Sequence, residues 1–130
     1  MAEDRIDSVM QTDILRLRSD MAIREAVALL VDRQAPAAPV VDDTGVLIGI
    51  LTQKDCFRSA LNASYYQQWS GTVAEYMTAD VRTLDAATDF VTAAEAFLDE
   101  PYRAYPVVRG DRLVGLLTRP DLLAVFLRFG

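Results

Sequence analysis

Apolar residues recur along this chain with helical spacing at two places that lie 67 positions apart. The first set falls at i, i+3, i+4, i+7 and i+8, which is one face of an α-helix: Ile23, Ala26, Val27, Leu30 and Val31. The second set has the same offsets: Phe90, Ala93, Ala94, Phe97 and Leu98. Each set predicts an amphipathic helix. Ser19 or Asp20 is expected to cap the first helix. Asp85 or Thr88 is expected to cap the second.

Almost continuous apolar runs follow each helical pattern. Pro-Val-Val occurs at 39–41 and again at 106–108, and a turn separates it from VLIGILT (46–52) or RLVGLLT (112–118). Such runs are typical of strands that are covered on both faces. The turn is one residue shorter in the second copy, so the offset between the copies falls there from 67 to 66. Two strands are therefore predicted in each copy.

A second helical stripe closes each copy. The first stripe is Cys56, Phe57, Ala60 and Leu61, and its counterpart 66 positions later is Leu122, Leu123, Phe126 and Leu127. In the last helix Val125 and Phe129 add a neighbouring apolar face. A helix that is apolar on two faces is buried on two sides, so we expect a homodimer in which the closing helices meet their mates. The alternative is that Tyr65, Tyr66 and Trp69 fold over the last helix.

The repeat defines the fold class and the domain organisation. Each copy reads short strand, helix, strand, strand, helix, so the sequence predicts an α/β (α+β) protein of two β-α-β-β-α half-domains packed about a pseudo-twofold axis. We assign residues 1–8 to an N-terminal extension, 9–61 to the first copy, 62–72 to a linker and 73–129 to the second copy. A half of about 60 residues is marginal alone, which explains the pairing.

Composition excludes several classes of function. The net charge of −6 argues against broad binding to nucleic acid. With no histidine and a single cysteine, Cys56, the chain lacks the usual zinc ligands, a disulfide framework and the commonest general base. The N-terminal stretch has no apolar core, and no apolar run approaches the roughly 20 residues of a membrane span. We therefore expect a cytoplasmic protein that is not an enzyme.

The most specific feature is a repeated heptapeptide, GILTQKD (49–55) and GLLTRPD (115–121). A Thr at the end of a strand, with an Asp three residues later, predicts a capping box at the start of a helix. The same geometry suits a ligand, because helix N-termini attract phosphate and a carboxylate accepts ribose hydroxyl groups. The glycine would let a planar group approach the backbone. The structural and functional interpretations are compatible.

Pro-Val-Val, a turn and then Gly-apolar-apolar-Thr-x-x-Asp resembles the CBS domain, here as a tandem pair (a Bateman module) that spans about Val9 to Phe129. The resemblance implies a stand-alone regulatory protein that binds adenosine-containing ligands in clefts between its halves. These ligands include AMP, ADP, ATP and S-adenosylmethionine, and no cofactor is required. It further implies an unidentified regulated partner chain and assembly as a homodimer. The acidic net charge and the short apolar runs predict neither nucleic acid nor membrane as a partner.

The resemblance also assigns roles by motif position. Asp55 and Asp121 would hold ribose hydroxyl groups, and Thr52 and Thr118 would contact phosphate. Six residues would line the adenine pocket: Ile14, Ala37, Ala38, Val81, Ala104 and Tyr105. Four cations are candidate phosphate partners: Arg16, Lys54, Arg82 and Arg119. The second motif departs from the pattern at Pro120, which has no side-chain donor.

Two other functions are compatible with the residues. The chain could be a ligand-free scaffold in which the motifs serve only as caps and the protein dimerises or docks a partner. It could also be a hydrolase that uses Asp55 and Asp121 as a carboxylate pair. The second is disfavoured, because a helix N-terminus stabilises the charged form of a carboxylate, whereas a general acid must carry a proton.

Overall fold

The computed structural model describes residues 4–128, and the chain divides into two compact units. The first unit is continuous and spans Leu15–Val81. The second unit combines the segment that ends at Ile14 with the segment that begins at Arg82. The helix and strand content agrees with the predicted α/β class.

The first unit contains helices and an antiparallel strand pair. In chain order its elements are α1 (Ile23–Arg33), β1 (Ala37–Val41), β2 (Leu47–Thr52), α2 (Gln53–Tyr66) and α3 (Val73–Tyr76). Strands β1 and β2 pair antiparallel. The short opening strand predicted for this copy is reduced to a single parallel bridge between Leu17 and Val40. The first five residues of the segment assigned to the linker, 62–66, belong to α2.

The second unit repeats this plan with a longer sheet. A 3-10 turn at Ile6–Ser8 is followed by β3 (Leu84–Asp85), α4 (Phe90–Asp99), β4 (Ala104–Arg109), β5 (Arg112–Thr118) and α5 (Arg119–Phe126). The strand order is β3-β4-β5, with β3 parallel to β4 and β4 antiparallel to β5. The predicted strand-helix-strand-strand-helix order is therefore confirmed in this copy.

The start of each copy packs in the unit formed mainly by the other copy. Ile6 lies just before the first copy and is fully buried in the core of the second unit, where its amide donates to Thr88 O at 2.8 Å. Val73 is the first residue of the second copy and is fully buried in the core of the first unit, with its amide 2.9 Å from Met21 O. The compact units and the sequence repeats are thus different divisions of the chain.

The predicted apolar stripes are buried only in part. At the last position of the two opening stripes, Val31 and Leu98 are 72% and 85% exposed. On α2 the buried face is Asp55, Ser59 and Ala63, while two members of the predicted stripe are exposed: Phe57 and Leu61. In the last stripe Leu122 is buried, as is Val125 on the neighbouring face, but two stripe members are exposed: Leu123 on α5 and Leu127 at its C-cap. Phe129 lies outside the described residues.

This correction has a physical reason. On α5 apolar residues occupy two neighbouring faces, and spacing alone does not tell which face is buried. On α2 the buried face carries two polar residues, Asp55 and Ser59, so apolar spacing does not identify it. The capping box fixes the start of the helix, and with it the helix rotation. The covering role suggested for the aromatic linker residues is also not seen for Tyr65 and Tyr66, which are exposed on α2, whereas Trp69 packs on the core of the first unit.

The predicted caps of the opening helices were wrong. Helix α1 begins after Ala22, whose side chain makes no capping hydrogen bond, rather than after Ser19 or Asp20. Helix α4 begins after Asp89, whose carboxylate accepts a hydrogen bond from Thr92 N at 2.7 Å. A pairing of Ala22 with Thr72 keeps the backbone extended up to the start of α1, so the helix begins later than the polar residues suggest.

A methionine covers the glycine of each heptapeptide. A Cβ placed on Gly49 would lie 2.6 Å from Met77 Sδ, and one on Gly115 would lie 2.5 Å from Met10 Sδ. Each methionine belongs to the same unit as the glycine that it covers, but to the other copy of the repeat. The glycines therefore admit a side chain of the protein itself, and not the planar ligand group that the sequence suggested.

Gly115→Ala tests this packing. The new methyl group would also lie 2.8 Å from the backbone oxygen of Gln11, which cannot move as freely as a side chain. We expect the free energy of unfolding to fall by about 1–3 kcal/mol, the usual cost of overpacking. Urea unfolding measures this loss of free energy. The control is Ala87→Gly, an exchange of the same two residue types at an exposed position outside the helices. A loss below about 0.5 kcal/mol would contradict the close packing.

Candidate functional site

Two capping boxes with the same atoms bonded form the centre of the candidate site. Thr52 Oγ1 accepts from Asp55 N at 3.2 Å, and Asp55 Oδ2 accepts from Thr52 N at 3.0 Å. The matching distances for Thr118 and Asp121 are 3.3 and 3.1 Å. Each Thr hydroxyl also donates to the same carboxylate oxygen, at 2.9 Å in the first box and 2.7 Å in the second. The predicted capping boxes are confirmed.

Strand pairing places small residues beside each box. Ala37 lies opposite Thr52 across the β1-β2 pair, and Ala104 lies opposite Thr118 across the β4-β5 pair. Ala38 follows Ala37 and is fully buried. Three of the predicted adenine-lining residues therefore lie next to the predicted phosphate-contacting threonines. Ala37 and Ala38 do so in the first unit, and Ala104 does so in the second.

The two acids differ in their surroundings. Asp55 is 4% exposed, and its Oδ1 lies 3.7 Å from Arg58 Nη1, one turn further along α2. Asp121 is half-buried and accepts a further hydrogen bond on Oδ2 from Gln11 Nε2 at 3.0 Å. The sequence did not reveal Gln11, because it is 110 positions from Asp121, in the first copy, although both residues belong to the second unit. No local spacing signals such a contact.

Tyr105 packs inside the second unit. Its ring is 1% exposed and meets Phe97 edge to face, with centroids 4.8 Å apart. Its hydroxyl group lies 2.7 Å from Glu100 Oε1 and 3.0 Å from Ala96 O, and donates to them. Burial, and then the hydrogen bond to Glu100, raise the pKa of Tyr105 above its ordinary value. The ring thus holds β4 against α4.

The candidate phosphate partners are exposed cations. Lys54 and Arg16 are exposed at the surface of the first unit. In the second unit Arg82 Nε donates to Glu100 Oε2 at 2.8 Å, and Arg119 Nε donates to Tyr102 O at 3.1 Å. Each of these hydrogen bonds uses only the Nε donor of a guanidinium group that carries five N–H donors.

The remaining candidates lie at chain boundaries. Ile14 is the last residue of its segment in the second unit, Val81 ends the first unit, and both are half-buried. Pro120 stands in the first turn of α5, where a missing N–H is tolerated.

Among residues 4–128 there is no group of three or more acidic, histidine or cysteine side chains that could hold a metal ion. In the same part of the chain, no helix is both long and apolar enough to cross a membrane.

A family model identifies the fold. The model described as CBS domain matches residues 6–62 and again residues 73–128. These two matches cover most of the chain, and they contain both heptapeptides. The chain therefore belongs to the CBS domain family, as a tandem pair of CBS domains.

Solved structures share this fold over almost the whole chain. CBSX2 of Arabidopsis thaliana in complex with AMP has a TM-score of 0.84 and 23% identity, with coverage of 95% of this chain and 96% of that one. The CBS domain pair of protein MJ0100, with 5′-methylthioadenosine and S-adenosylmethionine, has a TM-score of 0.80, 24% identity and coverage of 94% and 98%. The cytosolic domain of the Mg²⁺ channel MgtE, with ATP, has a TM-score of 0.80, 27% identity and coverage of 95% and 49%.

Many curated relatives are longer proteins. An uncharacterized protein of Methanocaldococcus jannaschii is 25% identical over 91% of this chain, but the match covers only 41% of that protein. For the inosine-5′-monophosphate dehydrogenase of Nitrosopumilus maritimus the match covers 23% of the enzyme. The chain thus spans less than half the length of these relatives.

Cys56 provides a test of the packing next to the first capping box. Burial, and then the charge of Asp55, raise the pKa of the Cys56 thiol to about 11. Because the thiolate is the reactive form, we expect a disulfide reagent at pH 8 to label the native protein at least about thirtyfold more slowly than the urea-unfolded chain. Equal rates would contradict this environment.

Proposed function

We propose that this CBS pair is a regulatory module that binds adenine nucleotides and has no catalytic activity of its own. The observation that carries the proposal is the doubled capping box, which places a threonine, a carboxylate and a helix N-terminus together in each unit. Complexes of similar folds with AMP, with ATP and with S-adenosylmethionine support it.

Each part of a nucleotide has a matching group. The first-turn N–H groups of α2 and α5, with the hydroxyl groups of Thr52 and Thr118, suit phosphate. Asp55 and Asp121 supply carboxylate oxygens for the two ribose hydroxyl groups. Beside them Ala37 and Ala104 have the smallest side chains that carry a Cβ, so a flat base can approach the strand backbone there.

Ligand choice would then depend on the surrounding charges. Lys54 and Arg16 in the first unit, and Arg82 and Arg119 in the second, are exposed cations that would interact with phosphates beyond the first. The overall charge of −6 opposes the more highly charged nucleotides. Calorimetric titrations with AMP, ADP, ATP and S-adenosylmethionine establish the order of preference.

We further propose that the protein forms a homodimer through its closing helices. On α2 a row of apolar side chains at i, i+4 and i+8 is exposed: Phe57, Leu61 and Tyr65. On α5 Leu123 and Leu127 repeat the first two of these positions. Exposed apolar rows of this kind mark interaction surfaces, and their presence at the same positions of both copies suits a symmetric partner.

A ligand-free scaffold is the second candidate, and the same exposed rows favour it. In that case the capping boxes would only hold the helices, and signalling to a partner chain would use the closing helices without a nucleotide. The hydrolase alternative has no support from a carboxylate pair within either unit, since each described capping box contains a single acid.

Replacement of the motif acids tests nucleotide binding. We expect Asp55→Ala and Asp121→Ala each to weaken AMP binding at one site by about 1.5–3 kcal/mol, or roughly 10- to 150-fold, because each removes hydrogen bonds to a charged group. Isothermal titration calorimetry measures this loss. The matched control is Asp89→Ala, which also removes a helix-capping carboxylate and should leave the affinity unchanged.

Three outcomes are distinguishable in this experiment. A loss of affinity in the motif variants alone supports the ribose role of both acids. Equal losses in all three variants would indicate an indirect effect of lost helix caps. No heat of binding from the unchanged protein with any of the four ligands would reject nucleotide binding and leave the scaffold.

A charge within the exposed rows tests the homodimer. We expect Leu61→Glu and Leu127→Glu to convert a dimer into a monomer of 14.4 kDa, measured by light scattering at micromolar concentration, because they bury a charge in an apolar contact. Leu98→Glu is the matched control, since Leu98 is as exposed as Leu127 but lies on α4. A mass of 14.4 kDa for the unchanged protein would contradict the proposal.

A further inference from the structure

Gln11 is held beside the acid of the second motif. Its backbone makes two hydrogen bonds with Leu116, from Gln11 N to Leu116 O at 2.8 Å and from Leu116 N to Gln11 O at 2.9 Å. This pairing holds the Gln11 backbone beside Leu116 of β5, which lies two residues before the capping Thr118. Its side-chain amide then reaches Asp121 Oδ2 at 3.0 Å. The fixed backbone therefore places the exposed Gln11 side chain within reach of Asp121.

The first motif has a different residue at this place. The counterpart of Gln11, 67 positions later, is Thr78, which makes the same two backbone bonds with Ile50, both at 2.9 Å. A threonine side chain is two bonds shorter than glutamine and carries no terminal amide. The hydrogen bonds described for the Asp55 carboxylate come from Thr52 alone. The two copies thus share the same pair of backbone hydrogen bonds. They differ in the side chain at this position, which is an amide donor only in the second motif.

The extra donor changes what Asp121 can accept. Its Oδ2 already receives the Thr118 amide at 3.1 Å and the Thr118 hydroxyl at 2.7 Å, and the Gln11 amide is a third donor on the same oxygen. A carboxylate has about four lone-pair positions over its two oxygens. The described hydrogen bonds use three of them on Asp121 and two on Asp55. A ribose hydroxyl group that approaches Asp121 Oδ2 therefore competes with the Gln11 amide.

We propose that Gln11 is a specificity-determining residue that competes with ribose hydroxyl groups for Asp121, so that the second motif binds adenine nucleotides more weakly than the first. This inference rests on the proposed nucleotide-binding function. It assigns the difference in affinity between the two sites to a residue from the N-terminal segment. The chemical group under competition is the vicinal diol of the ribose.

The test is a titration of Gln11→Ala and Gln11→Thr with AMP and with its 2′,3′-dideoxy analogue. Gln11→Thr places the residue of the first motif in the same frame. We expect both variants to bind AMP about three- to tenfold more tightly at one site, the range for one exposed hydrogen bond. The dideoxy analogue should change by less than about twofold, because it lacks the competing hydroxyl groups.

Two controls assign the effect to the second site. Thr78→Ala, the equivalent change in the first unit, should not produce the gain. The gain should also disappear in Gln11→Ala combined with Asp121→Ala, since the contested carboxylate is then absent.

The remaining outcomes overturn the inference. Weaker AMP binding in both Gln11 variants would show that the amide positions the carboxylate for the ligand instead of competing with it, and unchanged binding would show that the amide has no effect on the ligand. An equal gain for AMP and the dideoxy analogue would show an effect that does not involve ribose. If neither the unchanged protein nor Thr78→Ala binds AMP, the proposed function itself fails, and the inference fails with it.

Discussion

The capping box between a threonine and an aspartate is the interaction on which the rest of each unit depends. It ends the second long strand, starts the closing helix and sets the rotation of that helix, so that Asp55, Ser59 and Ala63 face inward on α2. The same box collects a hydroxyl group, a carboxylate and free helix N–H groups at one point. The proposed binding site therefore uses the same groups that connect the strand to the helix. The acid that would hold a ribose is already hydrogen-bonded to the capping threonine.

A second constraint is that the leading segment of each copy packs in the unit formed mainly by the other copy. Ile6 and Val73 complete the cores of units built mainly from the other copy, and Met10 and Met77 fill the space above the motif glycines. Because each segment pairs with the strand that carries a motif, a substitution in one copy acts on the motif of the other. The contact between Gln11 and Asp121 is the clearest case.

Much of this could be predicted from the sequence because it is local and repeated. The paired strands, the capping boxes and the family follow from spacings that occur twice. The buried faces of the closing helices did not follow, since Phe57 and Leu61 satisfy helical spacing equally well on an exposed face. The exchange of leading segments was missed for a related reason, because contacts such as that of Gln11 with Asp121 join residues 110 positions apart. Spacing reports the neighbours of a residue along an element, whereas packing decides its neighbours in space.

We propose that the two capping boxes form the nucleotide-binding sites. The most direct test follows the backbone amide signals of Asp55 and Asp121 by NMR as AMP is added. Both amides donate to the capping threonines, so a ligand that engages the box must alter their chemical shifts. We expect saturable chemical-shift changes at both amides, with smaller changes at the Asp89 cap of α4. Shifts confined to other regions, with the Asp55 and Asp121 signals unmoved at saturation, would contradict it.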